Sequence, residues 1–412
     1  MKILFLASYF PKPDNTVMGT WALSQAQALV RQGVDLQVVS FTSALPKWIA
    51  YSPGAKAYAH CPADYVWPGS VSVQYPRWLY YPIAPFKQRA YINPHPFLQM
   101  AWWSARKRLT EIIRGYQPDI LFCHHSLPNG WIAAQLPDRP PLFVLDHDYD
   151  EITDCYQYPR RKKAMQQMVK RVEQLLAVST RLEKDMQQLF PTAPTATLHN
   201  GIALPPSSLK DRPRPPQLKQ RRIILTCALF AERKGIPLLI KAFHRISTKH
   251  PNAILRIIGA GPEEEKIKQT INQLSVHEQV QLLGKVPHKD VLQEMAWSDC
   301  FALVGWDEPF ATVYLEAMAA GKPILCCSDG GINDVIEDSV HGYTVPPKNI
   351  DATAEALDRL LSNDTKRVDM GNRARQLIEH HLTWDAKAAE LIQRFETSIS
   401  TKKQRSIASQ SA

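Results

Sequence analysis

Short apolar runs alternate along the chain with longer stretches in which apolar residues recur every three or four positions. The first run, Ile3 to Ala7, is followed by a loop to Gly19, a helical stretch ending at Gly33, and a second apolar run from Val34 to Val39. Such runs predict buried strands, and the periodic stretches predict amphipathic helices. Because a strand–helix–strand order is typical of a parallel sheet, we expect a Rossmann-like unit at the start of the chain.

The same alternation continues in two series that are separated by a proline-rich segment. In the first half, further strands are predicted at Ile120–Cys123, Leu142–Asp146 and Leu175–Val178. In the second half, they are predicted at Ile223–Cys227, Ile254–Ile258, Gln279–Leu283, Cys300–Val304, Pro323–Cys326 and Gly342–Val345. The segment between the series holds five prolines and few apolar residues, a composition typical of a linker. We therefore predict an α/β protein with two tandem Rossmann-like, doubly wound domains that face each other across a cleft.

The predicted division of the chain follows from these patterns. It consists of a first domain at 1–203, a Pro-rich linker at 204–222, a second domain at 223–382, a C-terminal helix at 383–398 and a flexible tail at 399–412. A return of the C-terminal helix to the first domain is an open alternative. Residues 45–103 form an aromatic and basic insertion in the first domain. Its Trp, Tyr, Lys and Arg suit either a membrane interface or ordinary packing on the first sheet, and the sequence leaves both alternatives open.

Composition and charge exclude several classes of protein. A hydrophobic content of 45% excludes a disordered chain, and seven scattered cysteines without CxxC spacing exclude a disulfide scaffold. No apolar run reaches the ~18 residues that a membrane span needs, so we expect a cytoplasmic protein, with a peripheral place at the cytoplasmic face of a membrane as an open alternative. Up to residue 110 the chain has eleven Lys and Arg against three acids, which favours an anionic partner. No nucleic-acid-binding motif accompanies this charge.

The stretch from Gly305 to Pro347 carries the strongest candidate chemistry. Glu308 follows a predicted strand, so it is expected at the carboxyl end, where open α/β sheets bind their ligands. Glu316 comes about two helical turns later, on the same face if Thr312–Ala320 is helical. Carboxylates can accept hydroxyl hydrogen bonds while amides at a helix start hold an anion. The combination favours a sugar nucleotide, whereas the spacing alone is also typical of a solvated helix face.

Several further short motifs follow in a specific order over most of the chain. They are Met18-Gly19, Leu198-His199-Asn200-Gly201-Ile202, Arg233-Lys234-Gly235, Ile258-Gly259-Ala260-Gly261-Pro262, and Asp329-Gly330-Gly331 after Glu316. This order resembles that of the retaining nucleotide-sugar glycosyltransferases of the GT-B fold, family 4 in particular. The chain departs from the family at Leu229, where an arginine is usual, and some branches instead place an arginine beside the lysine, as Arg233 does here. Ala203 and Gly305-Trp306 are further departures.

The resemblance implies a hexosyltransferase that uses a UDP- or GDP-linked sugar and a saccharide or lipid-linked acceptor, in polysaccharide or glycolipid synthesis. The first domain would be the acceptor side, and the second would bind the nucleotide sugar. Lys234 and Arg233 would stabilise the departing diphosphate, and Glu308 would contact the donor sugar. The implied donor-binding residues are Gly19, Val286, Phe310, Ala311, Thr312 and Glu316. His147 resembles the first-domain histidine near the reactive end of the sugar.

No cofactor or metal is implied, because cations and helix amides can neutralise the diphosphate. The alternative is a metal site at Asp146-His147-Asp148. These residues form a D-x-D sequence, and sequences of this kind bind a divalent cation in a different glycosyltransferase fold. We expect the following residues on the acceptor or membrane side: His125, Arg160, Arg161, Lys162 and Lys163. The basic run is equally typical of a solvated helix face.

Other functions remain open at this stage. A nucleotide-sugar epimerase on the same scaffold would need no acceptor, and a noncatalytic sugar-nucleotide-binding module would carry out no turnover. An NAD-dependent dehydrogenase is disfavoured, because the first predicted strand is followed by Ser8-Tyr9-Phe10-Pro11 rather than by a G-x-G-x-x-G turn.

Overall fold

A computed structural model describes residues 1–16, 18–81, 86–209 and 212–410. Parts of the predicted insertion (82–85), linker (210–211) and tail (411–412) lie outside the described residues. The chain consists of two compact units: the first comprises Met1–His199 and the chain from Trp384 onward, and the second comprises Asn200–Thr383. None of the helices in the described ranges combines the length and the apolar character that a membrane crossing requires.

The first unit is built on a mainly parallel sheet. Its strands are β1 (Lys2–Ala7), β2 (Asp35–Val39), β3 (Thr42–Ser43), β4 (Asp64–Trp67), β5 (Val71–Gln74), β6 (Arg77–Trp78), β7 (Ile120–His124), β8 (Leu142–Asp146), β9 (Gln174–Ala177) and β10 (Thr195–Thr197). The main sheet has the order β10-β9-β8-β7-β1-β2-β5-β4, in which β4 alone runs antiparallel to its neighbour, and β3 pairs with β6 separately. Every residue of β7 and β8 is buried, as expected for central strands with both faces covered.

Helices of the first unit follow or connect these strands. They are α1 (Thr20–Arg31), α2 (Pro53–Ala59), α3 (Lys87–Ile92), α4 (His95–Tyr116), α5 (Trp131–Gln135), α6 (Tyr149–Thr153), α7 (Pro159–Val169) and α8 (Thr180–Leu189). Between β7 and α5, Ser126–Gly130 forms an irregular helical turn. This turn and the start of α6 lie at the carboxyl ends of β7 and β8, the edge where a parallel α/β sheet presents its ligand-binding residues.

The aromatic insertion divides into buried and exposed parts. Strand β5 adds to the main sheet beside β2, and the insertion residues Trp67, Tyr75 and Trp78 are buried. In contrast, Trp103 is 65% exposed on α4. Core packing therefore accounts for part of the insertion, while other aromatic residues remain at the surface.

The second unit contains a fully parallel sheet. Its strands are β11 (Arg222–Cys227), β12 (Ala253–Ile258), β13 (Val280–Gly284), β14 (Cys300–Ala302), β15 (Ile324–Cys327) and β16 (Gly342–Val345). Its helices are α9 (Ile236–Ser247), α10 (Glu264–Leu274), α11 (His288–Trp297), α12 (Thr312–Ala319), α13 (Ile350–Ser362) and α14 (Asp364–His381). The strand order β13-β12-β11-β14-β15-β16 is that of a doubly wound Rossmann sheet, so the strand order reverses between β11 and β14.

The described part of the proline-rich segment follows the surface of the second unit. Leu218 is 3% exposed and packs in a small cluster with Ile223 and Ile254. The Arg214 guanidinium donates to Asp299 over 3.1 Å. The prolines prevent regular helix or strand, but individual side chains still attach the segment to the unit that follows it.

The final helix, α15 (Trp384–Gln410), belongs to the first unit. Phe395 is fully buried between the rings of Phe122 and Phe143, with centroid distances of 5.7 and 4.7 Å. The helix extends twelve residues beyond the predicted end at residue 398. The sequence after that point holds neither Pro nor Gly before Gln410, so nothing in it interrupts the backbone hydrogen bonding of a helix.

Candidate active site

A sharp turn after β11 places two cations at the carboxyl edge of the second sheet. Glu232–Lys234 forms one turn of 3₁₀ helix, and Gly235 follows with a φ of 67° before α9 begins. A side chain at Gly235 would collide with the carbonyl oxygen of Val304, which follows β14. Glycine is therefore required here both by the left-handed backbone and by the close approach of the neighbouring loop.

Glu308 lies between these two cations. Its side chain is 4% exposed; Oε1 accepts a 2.9 Å hydrogen bond from Arg233 Nη1, and Oε2 accepts a 2.7 Å bond from Lys234 Nζ. Burial lowers the pKa of Lys234, and the charge of Arg233 adds to that effect, while Glu308 opposes it. A buried carboxylate of this kind is stable only while its partners are present, and removing one typically costs about 3–5 kcal/mol.

The loop that carries Glu308 is packed tightly against the turn. The backbone N–H of Trp306 donates to the carbonyl of Arg233 over 2.9 Å. A Cβ at Gly305 would lie 3.0 Å from that same carbonyl oxygen and 3.2 Å from Glu308 Oε1. The departure from the family at Gly305-Trp306 thus has a structural reason in this chain: position 305 has little room for a side chain.

Helix α12 begins four residues after Glu308, at Thr312. The predicted helix is thus observed over Thr312–Ala319, and Glu308 lies in the loop before it, so the loop rather than helical periodicity determines the position of Glu308. Phe310 is buried, and Ala311 precedes the helix without a polar side chain that could cap the first-turn amides. Amides at a helix start that have no side-chain cap are suited to binding an anion.

Glu316 has a partner that the sequence analysis missed. Its Oε1 accepts a 2.9 Å hydrogen bond from His288 Nε2, at the start of α11. This hydrogen bond raises the pKa of His288, although partial burial opposes the shift. Val286, the predicted base-contacting residue, lies half-buried two positions earlier. The only sequence signal for His288 was its closeness to Val286, because its contact with Glu316 spans 28 residues.

Leu229, which stands where the family usually has an arginine, lies at the surface. Leu229 is 63% exposed, whereas the Arg233 guanidinium lies beside Lys234 through their shared carboxylate. The second unit thus has two cations at the Glu308 loop even though position 229 contributes none.

In the first unit, Gly19 forms the start of α1. It has a φ of 80°, and a side chain there would collide with the carbonyl oxygen of Tyr9. Glycine therefore allows the loop after β1 to fold back on itself, which leaves the backbone at the helix start close to the end of the strand.

Three histidines cluster at the ends of β7 and β8. The His147 ring lies 4.4 Å from that of His124 and 5.7 Å from that of His125. Burial, and then the charges of His147 and His125, hold the pKa of His124 well below its usual range. His124 Nε2 lies 2.6 Å from the Gln25 side-chain oxygen, and we assign the ring a proton there because a neutral imidazole can donate from that nitrogen.

His125 behaves in the opposite way. It is 2% exposed, and its Nδ1 lies 3.8 Å from Glu151 Oε2 and 3.9 Å from Asp148 Oδ2. Burial opposes protonation, but the interactions with Glu151 and the other acids outweigh it and raise the pKa of His125 to about 9. Burial also opposes ionisation of Glu151, yet His125 and then Arg161 lower its pKa. At neutral pH, His125, Glu151 and Arg161 therefore form a largely buried group of charges.

Three side chains of this cluster lie close enough together to share a metal ion. His125, Asp148 and Glu151 offer ligand atoms within 4.8 Å of one another. However, Arg161 Nη2 also lies 3.8 Å from Glu151 Oε2, so a cation is already present there. Asp146 is fully buried and accepts hydrogen bonds from the backbone N–H and the hydroxyl of Ser126. The two aspartates of the D-x-D sequence thus have different environments, one buried and one 58% exposed.

The basic run on α7 is not a uniform surface. Arg160 and Lys163 are exposed, but Arg161 is 3% exposed; it donates to the Glu151 carbonyl over 3.0 Å and lies 4.1 Å from the centre of the Tyr91 ring. The expectation that Arg161 faces solvent, acceptor or membrane with its neighbours is wrong, because helical periodicity turns every third or fourth side chain toward the core.

Comparison with known families and proteins is consistent with this arrangement. Residues 18–204 match the model of Glycosyltransferase Family 4, and residues 208–377 match that of Glycosyl transferases group 1. The two models follow each other and together span most of the chain, in the order that the motifs indicated. The chain is a GT-B glycosyltransferase that resembles family 4.

Individual relatives are distant. N-acetyl-alpha-D-glucosaminyl L-malate synthase of Bacillus anthracis is 26% identical over 70% of this glycosyltransferase and 76% of its own length. An uncharacterized glycosyltransferase of Methanocaldococcus jannaschii is 36% identical over 42% of the chain, and the chain spans 44% of that relative. Identity at this level supports the family and leaves the substrates to be proposed.

Solved structures agree in fold. Sucrose-phosphate synthase from Thermosynechococcus elongatus superposes with a TM-score of 0.76 at 17% identity, covering 97% of this chain and 100% of that one. Anabaena HepE in complex with UDP superposes with a TM-score of 0.70 at 17% identity, covering 96% and 100%. The predicted α/β class with two Rossmann-like units is confirmed.

Proposed function

We propose that this glycosyltransferase is a retaining hexosyltransferase. It moves a hexose from a UDP- or GDP-linked sugar to a saccharide or lipid-linked acceptor, in polysaccharide or glycolipid synthesis. The observation that carries the proposal is the buried Glu308 carboxylate held between Arg233 and Lys234 beside the start of α12. The complex of HepE with UDP adds support for a nucleotide-linked donor.

The charges of this site suit the chemistry. As a nucleoside diphosphate departs, negative charge grows on the phosphate oxygens. Each fixed hydrogen-bond donor aimed at that charge typically lowers the activation free energy by ~3 kcal/mol. Arg233 and Lys234 outnumber Glu308 by one charge, so the cluster retains a net positive charge. The uncapped amides at the start of α12, near Phe310, Ala311 and Thr312, add further donors.

Glu308 keeps capacity for a sugar while it binds the cations. An ionised carboxylate has about four acceptor positions, and the two cations occupy one on each oxygen. We therefore assign Glu308 to the donor-sugar hydroxyls and Glu316 to the ribose hydroxyls, with Val286 beside the base. Gly19 and His147 of the first unit keep the roles that the resemblance implies.

The test is Glu308→Gln, which keeps the shape and removes the charge. We expect donor turnover to fall by about 100-fold or more, with each nucleotide sugar of a UDP and GDP panel assayed for turnover and for its shift of the melting temperature. NMR of the product reports whether the anomeric configuration of the donor is kept. Full turnover by the variant would overturn the site, and release of an epimer without any acceptor would favour an epimerase instead.

A further inference from the structure

An apolar groove lies on the surface of the first unit, where α3, the start of α4 and the start of α7 meet. Its volume is about 510 Å³. It is lined by Phe86, Arg89, Ile92, Asn93, Phe97 and Arg160. We call these six residues, with Met100 and Trp103 beside them, the α3–α4 surface. None of the six carries a negative charge, and the lining contributed by Phe86, Ile92 and Phe97 is hydrocarbon.

The outward face of α4 continues this apolar surface. Met100 is 36% exposed and Trp103 is 65% exposed, and Lys107 follows at the next helical turn. Positions i, i+3 and i+7 share one face of a helix, and here that face is opposite the buried residues Leu98 and Ala105. A soluble helix normally places polar residues on its outward face, so this one is unusual in exposing Met and Trp together.

The two charged side chains that line the groove are both arginines. Arg89 and Arg160 are exposed, and neither takes part in an ion pair within the ranges that the structure describes. Arg106 and Lys107 lie exposed on α4. Between residues 45 and 110 the sequence contains one acid, Asp64. Exposed aromatic side chains with cations around them are complementary to a bilayer surface, in which anionic headgroups cover a hydrocarbon interior.

We propose that the α3–α4 surface docks on an anionic lipid bilayer. Trp103, Met100 and Phe86 enter the interfacial layer, where amphipathic and apolar side chains are stabilised, and Arg89 and Arg160 contact lipid phosphates. The inference rests on the proposed function in one respect: a bilayer is where a lipid-linked acceptor would be presented.

The experiment is co-sedimentation with two kinds of vesicle, phosphatidylcholine alone and phosphatidylcholine mixed with phosphatidylglycerol. We expect the wild-type protein to prefer the anionic vesicles and to dissociate as salt is added. Each cation near an anionic surface accounts for about fivefold in binding, so R89E with R160E is expected to weaken it by roughly 25-fold or more. M100S with W103S is expected to weaken binding to both kinds of vesicle.

Matched controls lie on the second unit. Lys241→Glu changes an exposed lysine of α9, and Val368→Ser changes a residue that is 58% exposed on α14. Both are expected to bind vesicles like the wild type. Equal binding of the wild type to the two kinds of vesicle, or unchanged binding by both α3–α4 double variants, would overturn the inference.

Thermal shift with nucleotide sugars, measured without vesicles, separates this inference from the proposed function. The α3–α4 variants are expected to keep the shift of the melting temperature that the donor causes, because the altered side chains lie in the other unit from Glu308. Vesicle binding without any donor shift would support the surface and contradict the proposed function. A shift of the melting temperature by a nucleotide sugar, without vesicle binding, would support the proposed function and contradict the docking surface.

Discussion

Glu308 in the second unit and Glu151 in the first are each held by two cations, and the two clusters differ in their geometry and their chemistry. In the second unit, Glu308 accepts bonds of 2.9 and 2.7 Å from Arg233 and Lys234. In the first unit, Glu151 has His125 and Arg161 at 3.8 Å. The first arrangement is a set of short, charge-assisted hydrogen bonds, whereas the second is a looser group of charges.

The two clusters respond differently to a change of pH. An arginine stays charged at every pH at which a protein is folded, so the Glu308 cluster always has at least one permanent cation. His125 loses its proton as pH rises through its raised pKa of about 9. The second-unit cluster therefore offers a lasting positive site for a diphosphate, and the first-unit cluster is a pH-dependent element of stability.

The largest effect is expected for Lys234→Met, which removes the cation with the shorter bond to Glu308. Donor turnover should fall by about 100-fold or more, because a buried charge–charge contact and a donor to the leaving group are both lost. Steady-state turnover of the nucleotide sugar identified by the panel measures this. Lys241→Met, an exposed change on α9, is the matched control. Turnover within about twofold of the wild type would show that Lys234 has no part in the reaction.

Arg233→Met is expected to have a smaller effect, roughly tenfold in turnover, since its side chain is 46% exposed and partly screened by water. Adding Leu229→Arg to this variant tests whether the usual family position can replace it. Leu229 is exposed, so the new arginine should be tolerated. Recovery of turnover in the double variant would show that an arginine at position 229 can replace the charge of Arg233. Wild-type turnover by Arg233→Met alone would show that Arg233 has no part in the site.

Glu151→Gln tests the first-unit cluster through stability. A histidine whose folded pKa is raised from 6.5 to about 9 stabilises the fold fully below pH 6.5, and this contribution is lost as pH rises through about 9. The shift corresponds to about 3 kcal/mol. We expect the free energy of unfolding of the wild type to fall more steeply than that of the variant between pH 6.5 and 9.5, as measured by urea denaturation.

Comparing the two proteins over the same range cancels other groups that titrate there, such as Lys322, whose pKa burial lowers to about 8. The buried Asp146, with a pKa raised by burial to about 6, titrates mostly below the range. Parallel stability profiles for wild type and variant would show that Glu151 does not hold the proton on His125.

The smallest effect is expected for His288→Ala. The imidazole is 67% exposed, and exposed pairs contribute little, so we expect the KM for the donor to rise about two- to fivefold while kcat is unchanged. His288→Gln, which can still donate to Glu316, should restore the wild-type KM. A fall in kcat without a change in KM would instead place His288 in the chemical step.

The pattern of apolar residues predicted five strands of the first unit and all six of the second, but not β3 to β6 or β10. The predicted strands Leu142–Asp146 and Gly342–Val345 match the observed strands at both ends, and the other predicted strands agree to within two residues. Apolar runs bounded by glycine or proline have few alternatives to a buried strand, so local sequence decides them. The motif order was likewise sufficient for the family, because it depends on residue types and spacing alone.

Tertiary structure decided what lies beside each candidate residue. Arg161 stands in a run of four cations, yet the core contacts of α7 bury it against Tyr91 and Glu151. His288 reaches Glu316 across 28 residues, and Glu308 meets Arg233 across 75. Spacing along the chain cannot encode such distances, because they depend on which strands become neighbours in the sheet. The residue pattern was enough to predict most strands and the available side-chain chemistry, whereas the packing of loops at the sheet edge sets which charges meet.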